Sequence, residues 1–264
     1  MNVFLLHKEI ISLCRLSKSV FGRFVIINVM CILLKFIIVY LVVLDSYSYT
    51  AAYNYFCGND DWCEKGKHIM CDPSAIENIG KFKRHMPSTF KIRNMFLELH
   101  NQLRNEVAGR VKATRMRNLI WDSELAYLAR TYTGLCPSKP SECHKTARFE
   151  KVGLNSAMQD GLNRISLDTL MTSTFNKWKK DDSTFYKVLT LDQASRVGCA
   201  IGYCVDCPEG KNHCYFISCY YDMDYKEGVD INDKGENAAT KCNVWDSVQD
   251  EKYTNLCRNT GKIF

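Results

Sequence analysis

Proline is scarce in this chain, at 5 of 264 residues, and glycine stands at only 14. Those counts exclude collagen-like repeats and Pro/Gly-rich disordered tracts. Neither charge sign dominates, because 35 Lys and Arg face 29 Asp and Glu for a formal net charge of +6 spread along the sequence. Without a basic stripe, no nucleic-acid partner is expected. G-x-S-x-G, P-loop and G-x-G-x-x-G motifs are all missing, which removes the hydrolase elbow, the phosphate cradle and the dinucleotide fold. H-E-x-x-H and His-rich tracts are absent too, so nothing in the motifs calls for a cofactor. The chain also has no N-x-[S/T] sequon and no internal repeat.

What the chain does have is apolar content of 46% with 24% charged residues, a globular balance, and 14 cysteines. That many cysteines in a chain of this length points to disulfides and an oxidising compartment. The first 52 residues bear on the compartment. Phe24 to Leu44 is apolar except at Asn28 and Lys35, and Lys8, Arg15, Lys18 and Arg23 precede it. The stretch reads as an export signal or a membrane anchor. Lys35 near its middle disfavours the anchor, since a central charge costs about 2.5 to 3.5 kcal/mol on insertion scales. With Met30 as the start, Lys35 becomes the basic end and Phe36 to Leu44 the apolar core of a signal peptide, with cleavage expected after Ser48 or Ala52. Either way the remainder is expected outside the cell: secreted, or tethered to the membrane only if the leader is retained.

Removing residues 1–52 leaves 30 basic against 27 acidic residues and takes away Cys14 and Cys31. Twelve cysteines remain, enough for six bridges. Cys204, Cys207, Cys214 and Cys219 have a competing reading as a zinc knuckle, which behind a leader gives way to disulfides because oxidised sulfur is no ligand.

Residues 53–88 are polar and irregular, with turn signals at Gly58-Asn59-Asp60, Gly66, Asp72-Pro73 and Gly80, and read as a stapled extension. Ile92, Met95, Phe96, Leu99, Leu103 and Val107 recur at steps of three and four, predicting a helix capped by Ser88 or Thr89 and stopped at Gly109. A second helix is expected from Asp122 or Ser123 to Gly134, and a third from Ser166 to Lys180. Arg196–Val205 and Cys214–Asp222 are β-branched and aromatic and predict an antiparallel pair around Pro208-Glu209-Gly210. Helices followed by strands give an α+β layering over 89–225, with a cysteine-bearing tail over 226–264.

Taken jointly, several motifs carry a resemblance. His100-Asn101-Gln102-Leu103-Arg104, Asn118-Leu119-Ile120-Trp121-Asp122, Cys143 to Phe149, Val152-Gly153-Leu154-Asn155 and Arg196-Val197-Gly198-Cys199-Ala200 resemble the signatures of the CAP superfamily. The opening Tyr55-Phe56-Cys57, Trp62-Cys63 and His68 to Cys71, with Tyr253 to Cys257 near the end, resemble its insect antigen 5 branch. The resemblance implies a three-layer α-β-α sandwich, secretion and four bridges: Cys63 to Cys143, Cys199 to Cys219, Cys57 to Cys71 and Cys242 to Cys257. It leaves Cys136, Cys204, Cys207 and Cys214 to pair among themselves.

Many CAP proteins carry a cleft tetrad of two His and two Glu able to hold a divalent metal. Position by position, the tetrad falls here on Pro140, Leu154, Asp181 or Trp178, and Phe185. Proline, leucine and phenylalanine supply no donor, so no metal site is expected there. His144, His100, Arg104 and the Trp121-Asp122-Glu124 group are expected to serve structure. Tyr215, Tyr220, Tyr221 and Tyr225 are expected as strand and rim aromatics, with a ligand-contacting surface as the alternative. The expected function is therefore a monomeric, non-enzymatic binding protein for a small hydrophobic or amine ligand or an extracellular protein. A metal-dependent hydrolase and a membrane-tethered interaction protein are the alternatives.

Overall fold

Side chains of successive strand residues point to opposite faces, and along the two longest strands both faces are apolar. Such a sheet must be covered on both sides. The computed structural model describes residues 32–37, 39–40, 55–57, 62–64, 67–71, 80–137, 143–161, 165–180, 183–228 and 230–262. In chain order these form β1 (Phe82–His85), α1 (Phe90–Val111), β2 (Ile120–Trp121), α2 (Ser123–Gly134) and β3 (Gly153–Asp160). Then follow α3 (Leu167–Trp178), α4 (Thr184–Thr190), β4 (Arg196–Cys207) and β5 (Lys211–Tyr221). The sheet runs β1-β4-β5-β3, with β2 pairing in parallel to β4 and the other neighbours antiparallel.

Val197, Cys199 and Ile201 of β4 and Ile217, Cys219 and Tyr221 of β5 lie on one face, against Phe96 of α1, Leu170, Met171, Phe175 and Trp178 of α3 and Leu189 of α4. Tyr220 points to the other face, where Leu125, Leu128, Ala129 and Tyr132 of α2 meet Phe56, Ile69, Phe149 and Val152. The result is a three-layer α-β-α sandwich. Each fully buried large side chain, Trp178 or Phe96 for instance, contributes about 1.5 to 3 kcal/mol. Layer spacing is tight at Gly198, where a Cβ would fall 2.0 Å from Ala126 N, so α2 rests directly on β4 backbone.

Local chemistry sets the helix ends. Thr89 caps α1, its Oγ1 accepting from Ile92 N at 3.3 Å. Asp122 caps α2 and Ser166 caps α3 in the same way. The expected stop at Gly109 is not a stop, because α1 continues to Val111 and ends on Lys112 in the left-handed region, at φ 57°. Gly109 instead lets the C-terminal segment approach, since a Cβ there would lie 2.7 Å from Asn255 Nδ2. The 53–88 extension is likewise less irregular than its composition implies. Phe82–His85 is a strand of the sheet, and Phe56, Cys63, His68 and Ile69 are buried. Helix α4, at seven residues, is too short for an apolar period to reveal it in the sequence.

Among the described residues, six disulfides join Cys57–Cys71, Cys63–Cys143, Cys136–Cys204, Cys199–Cys219, Cys207–Cys214 and Cys242–Cys257. The four cysteines left open by the resemblance thus tie the end of α2 to β4 and brace the β4–β5 hairpin. The C-terminal segment folds back over the end of α1, where Tyr253 and Leu256 pack on Val107, Ala108 and Met116.

Residues 1–55 and 56–264 form separate units. In the first, residues 32–37 and 39–40 are helical with exposed apolar side chains. No helix among the described residues is long and apolar enough to cross a membrane. The expected cleavage positions, Ser48 and Ala52, lie outside the described residues.

Candidate functional site

The H-N-x-x-R element of α1 faces the sheet, and its polar groups are consumed there. His100 donates Nδ1–H to Phe96 O (2.7 Å) and accepts at Nε2 from the Tyr221 hydroxyl (2.8 Å). Burial drives its pKa down to about 3, so the ring is neutral. Asn101 closes a two-way bond with the Leu119 backbone, donating to O (3.0 Å) and accepting from N (2.7 Å). Arg104 is fully buried and donates to the carbonyls of Arg117, Leu189, Leu191 and Ala194, at 2.8 to 3.0 Å. Burial lowers its pKa to about 10, opposed by the nearby Asp192 and Asp222 carboxylates. These residues hold the α1, α4 and β5 segments together and present nothing to a substrate.

Asn155 extends this network towards the tetrad positions. Its Nδ2 donates to Phe185 O (3.0 Å) and stands 3.5 Å from the Tyr221 hydroxyl, while its Oδ1 is buried without a partner. The neighbouring Leu154 points to the opposite face of β3 and packs with the α2-side core. Trp178 is buried on the α3 side, donating Nε1–H to Ser156 O (3.4 Å), and the Phe185 ring is 40% exposed. Trp178 and Phe185 line one open cavity of about 460 Å³, with Gln159, Lys177 and Lys211, and Leu154 is not part of it. Pro140 and Asp181 lie outside the described residues.

A metal does not fit these positions. Leu154, Trp178 and Phe185 have no atom able to ligate a divalent ion. Among the described residues, the one cluster of three potential ligands is His100 with Cys199 and Cys219, and both sulfurs are spent in their mutual disulfide.

Across the sheet, His144 is hydrogen-bonded, as expected, through Nε2–H to Val152 O (2.6 Å), edge-on to Tyr220. Burial lowers its pKa to about 4, and its Nδ1 is buried without a partner. Buried His68 donates Nε2–H to Lys145 O (2.8 Å) and accepts from Met70 N (3.1 Å), and burial lowers its pKa as well. Asp122, beyond its capping role, pairs with Arg148 (2.9 Å) and Arg196 (3.2 Å). Tyr220 and Tyr221 are fully buried strand residues, which removes them from any exposed ligand surface.

An open apolar feature lies between α1 and α3. It is a groove of about 530 Å³ whose walls include Phe90, Met95, Leu99 and Met171, and the Phe90 ring is 80% exposed. The sequence periodicity hid it, because Met95 and Leu99 read as core positions of α1 and are only half-buried.

Comparison with known proteins fits this geometry. The sequence model of the CAP, cysteine-rich secretory protein, family matches residues 97–221. An antigen 5 like allergen, Cul n 1, from Culicoides nubeculosus is 31% identical over 160 residues, covering 51% of this chain and 73% of that one. Venom allergen-1 from Aedes albopictus is 27% identical over 233 residues, covering 78% and 88%. A hookworm platelet inhibitor of solved structure shares the fold, with a TM-score of 0.51 at 20% identity over 67% of this chain and 96% of that one. With its family signatures, sandwich and disulfides in place, this chain belongs to the CAP family and is of the venom allergen, antigen 5-like type.

Proposed function

We propose that this protein is an exported, non-catalytic binding protein, monomeric, which has lost the metal site of its family and presents apolar surface to a small hydrophobic ligand or an extracellular protein. The observation that carries the reading is the chemistry at the tetrad positions. Leu154, Trp178 and Phe185 offer hydrocarbon and ring surface where a metal needs imidazole or carboxylate. Two further features support it. The polar residues of the family signature are buried in structural hydrogen bonds, and the α1–α3 groove leaves Phe90 and its apolar neighbours open to solvent. The six bridges are consistent with export.

The test pairs calorimetric titration of the purified protein against Zn²⁺ and Mn²⁺ with a lipid panel and a pull-down of extracellular proteins. The expected result is no metal heat and at least one ligand or partner captured. Chelator-sensitive hydrolysis by the pure protein would establish the enzymatic alternative, and empty lipid and protein screens would remove the binding role. Mass spectrometry of the secreted N-terminus checks export, with a start near Tyr49 or Tyr53 expected.

A further inference from the structure

Among the described residues, the outer edge of β4 is claimed at two places and left free between them. Met86 N donates to Ile201 O and Asp122 N donates to Val197 O, both at 2.9 Å. Backbone groups of a strand alternate in direction, so Val197, Cys199 and Ile201 all address this edge. Cys199 therefore directs its N–H and C=O into the gap between β1 and β2, where no strand of the described residues reaches. Its register opposite Cys219, at a Cα separation of 4.1 Å, fits a pair that exchanges no hydrogen bonds with β5.

A crevice of about 210 Å³ sits over that gap, and its lining is predominantly apolar. Phe96 and Ile92 of α1, Trp121, and Ala126 and Tyr127 of α2 form its walls. The Phe96 and Trp121 rings stand 6.4 Å apart. The residues lining it include two arginines and no carboxylate. Arg93 is steadied by Ser88, its Nε donating to the carbonyl and hydroxyl oxygens at 3.0 Å each, with its guanidinium 5.7 Å from the Trp121 ring centre. Arg130 of α2 also lines the crevice and is exposed. Among the described residues neither guanidinium has an ion-pair partner.

We propose that this crevice is a binding site for a small planar aromatic acid, its ring against Trp121 and Phe96, its carboxylate on Arg93 and Arg130, and a ring N–H donating to Cys199 C=O. The volume lies below the roughly 300 to 1,000 Å³ of drug-sized sites, which limits the ligand to one or two rings. Two unpaired guanidinium groups select an anion and reject an amine. The assignment rests on the binding role proposed above and names one ligand class for it.

Indole-3-acetate, indole-3-acetamide and tryptamine, titrated into the disulfide-bonded protein by calorimetry, separate charge from shape. The acid is expected to bind about tenfold more tightly than the amide, with no detectable binding of the amine. Changing both exposed arginines, Arg93→Gln with Arg130→Gln, should erase the acid-over-amide preference while the near-ultraviolet dichroism stays that of the folded protein. Ala126→Phe fills the crevice and should abolish acid binding, with the near-ultraviolet dichroism confirming the fold. Equal affinity for acid and amide, a preference that survives the double arginine change, or acid binding that survives Ala126→Phe each overturns the proposal. Absence of acid binding in the parent protein overturns it too. The wider binding role then stands or falls on its own lipid and protein screens.

Discussion

The two margins of the sheet are finished in opposite ways. At the β3 margin, α3 side chains cover the edge: Trp178 Nε1 donates to Ser156 O and Lys177 Nζ to Met158 O, at 3.4 and 3.3 Å. Asn155 meanwhile ties β3 to the Phe185 carbonyl of α4. At the β4 margin, β1 and β2 stop short of each other and leave Cys199 backbone facing a crevice. A sheet edge that offers free donors and acceptors invites pairing, and covering it removes that liability. At the β3 margin backbone carbonyls are therefore taken up by α3 side chains, while the β4 margin stays open, walled by aromatics and cations. The comparison teaches that side-chain donors consume the backbone acceptors at one edge of the sheet, whereas the other edge keeps backbone groups available to a ligand.

The largest expected effect breaks the scaffold shared by both margins. Arg104→Met should cost at least about 4 kcal/mol in chemical denaturation, because it leaves the carbonyls of Arg117, Leu189, Leu191 and Ala194 without their buried donor. Arg104→Lys should recover little of this, since an ammonium cannot span four carbonyls with a planar fork. A loss below about 1 kcal/mol for the methionine variant would mean that water replaces the guanidinium.

Next in size come the bridges. Replacing Cys63 and Cys143 with alanine opens a separation of 80 residues and should cost about 4 to 5 kcal/mol on the chain-entropy account. The same change at Cys207 and Cys214, separated by 7 residues within the hairpin, should cost about 2 to 3 kcal/mol. Equal losses at the two bridges would show that local strain, not loop closure, sets their contributions.

Acid should act on both faces of the sheet. His100 and His144 are buried as neutral rings with pKa values near 3 and near 4, below the ordinary 6.5. When a folded-state pKa is depressed, the unfolded chain takes up the proton first as pH falls. Stability should therefore be full above about pH 6.5 and decline towards pH 4, by a few kcal/mol in total. Denaturant midpoints measured at pH 7.5 and 4.5 check this. His144→Gln should flatten part of the decline, and a pH-independent midpoint would show that both rings accept a proton within the folded state.

How much of this was legible depends on where the signal is local. The three long helices announced themselves by apolar spacing and by Thr89, Asp122 and Ser166 at their starts, since a capping side chain acts within three residues of itself. The β4–β5 hairpin was visible for the same reason. β1, β2 and β3 were not, because strands such as Phe82–His85 owe their state to pairing with a distant partner, here β4, more than a hundred residues away. The tetrad substitutions could be read from Leu154 and Phe185 once the resemblance supplied a register. The crevice could not, because it exists only where β1 and β2 fail to meet and where α1 and α2 approach from opposite layers.

Gly109 gives the smallest and sharpest prediction, since the sequence and the structure assign it different jobs. As a helix stop it would tolerate alanine poorly through its conformation, whereas inside α1 alanine gains about 0.5 to 1 kcal/mol of helix propensity. Against that gain stands Asn255, whose Nδ2 would lie 2.7 Å from the added Cβ and which now donates to Asn105 O at 3.1 Å. Gly109→Ala alone should thus be neutral to destabilising by about 1 kcal/mol. In an Asn255→Ala background, where the clash is gone, the same change should become stabilising by about 0.5 kcal/mol. That reversal of sign in a double-mutant cycle isolates the steric contact from backbone propensity. If Gly109→Ala stabilises both backgrounds equally, Asn255 yields freely and the docking of the C-terminal segment on α1 does not depend on that glycine.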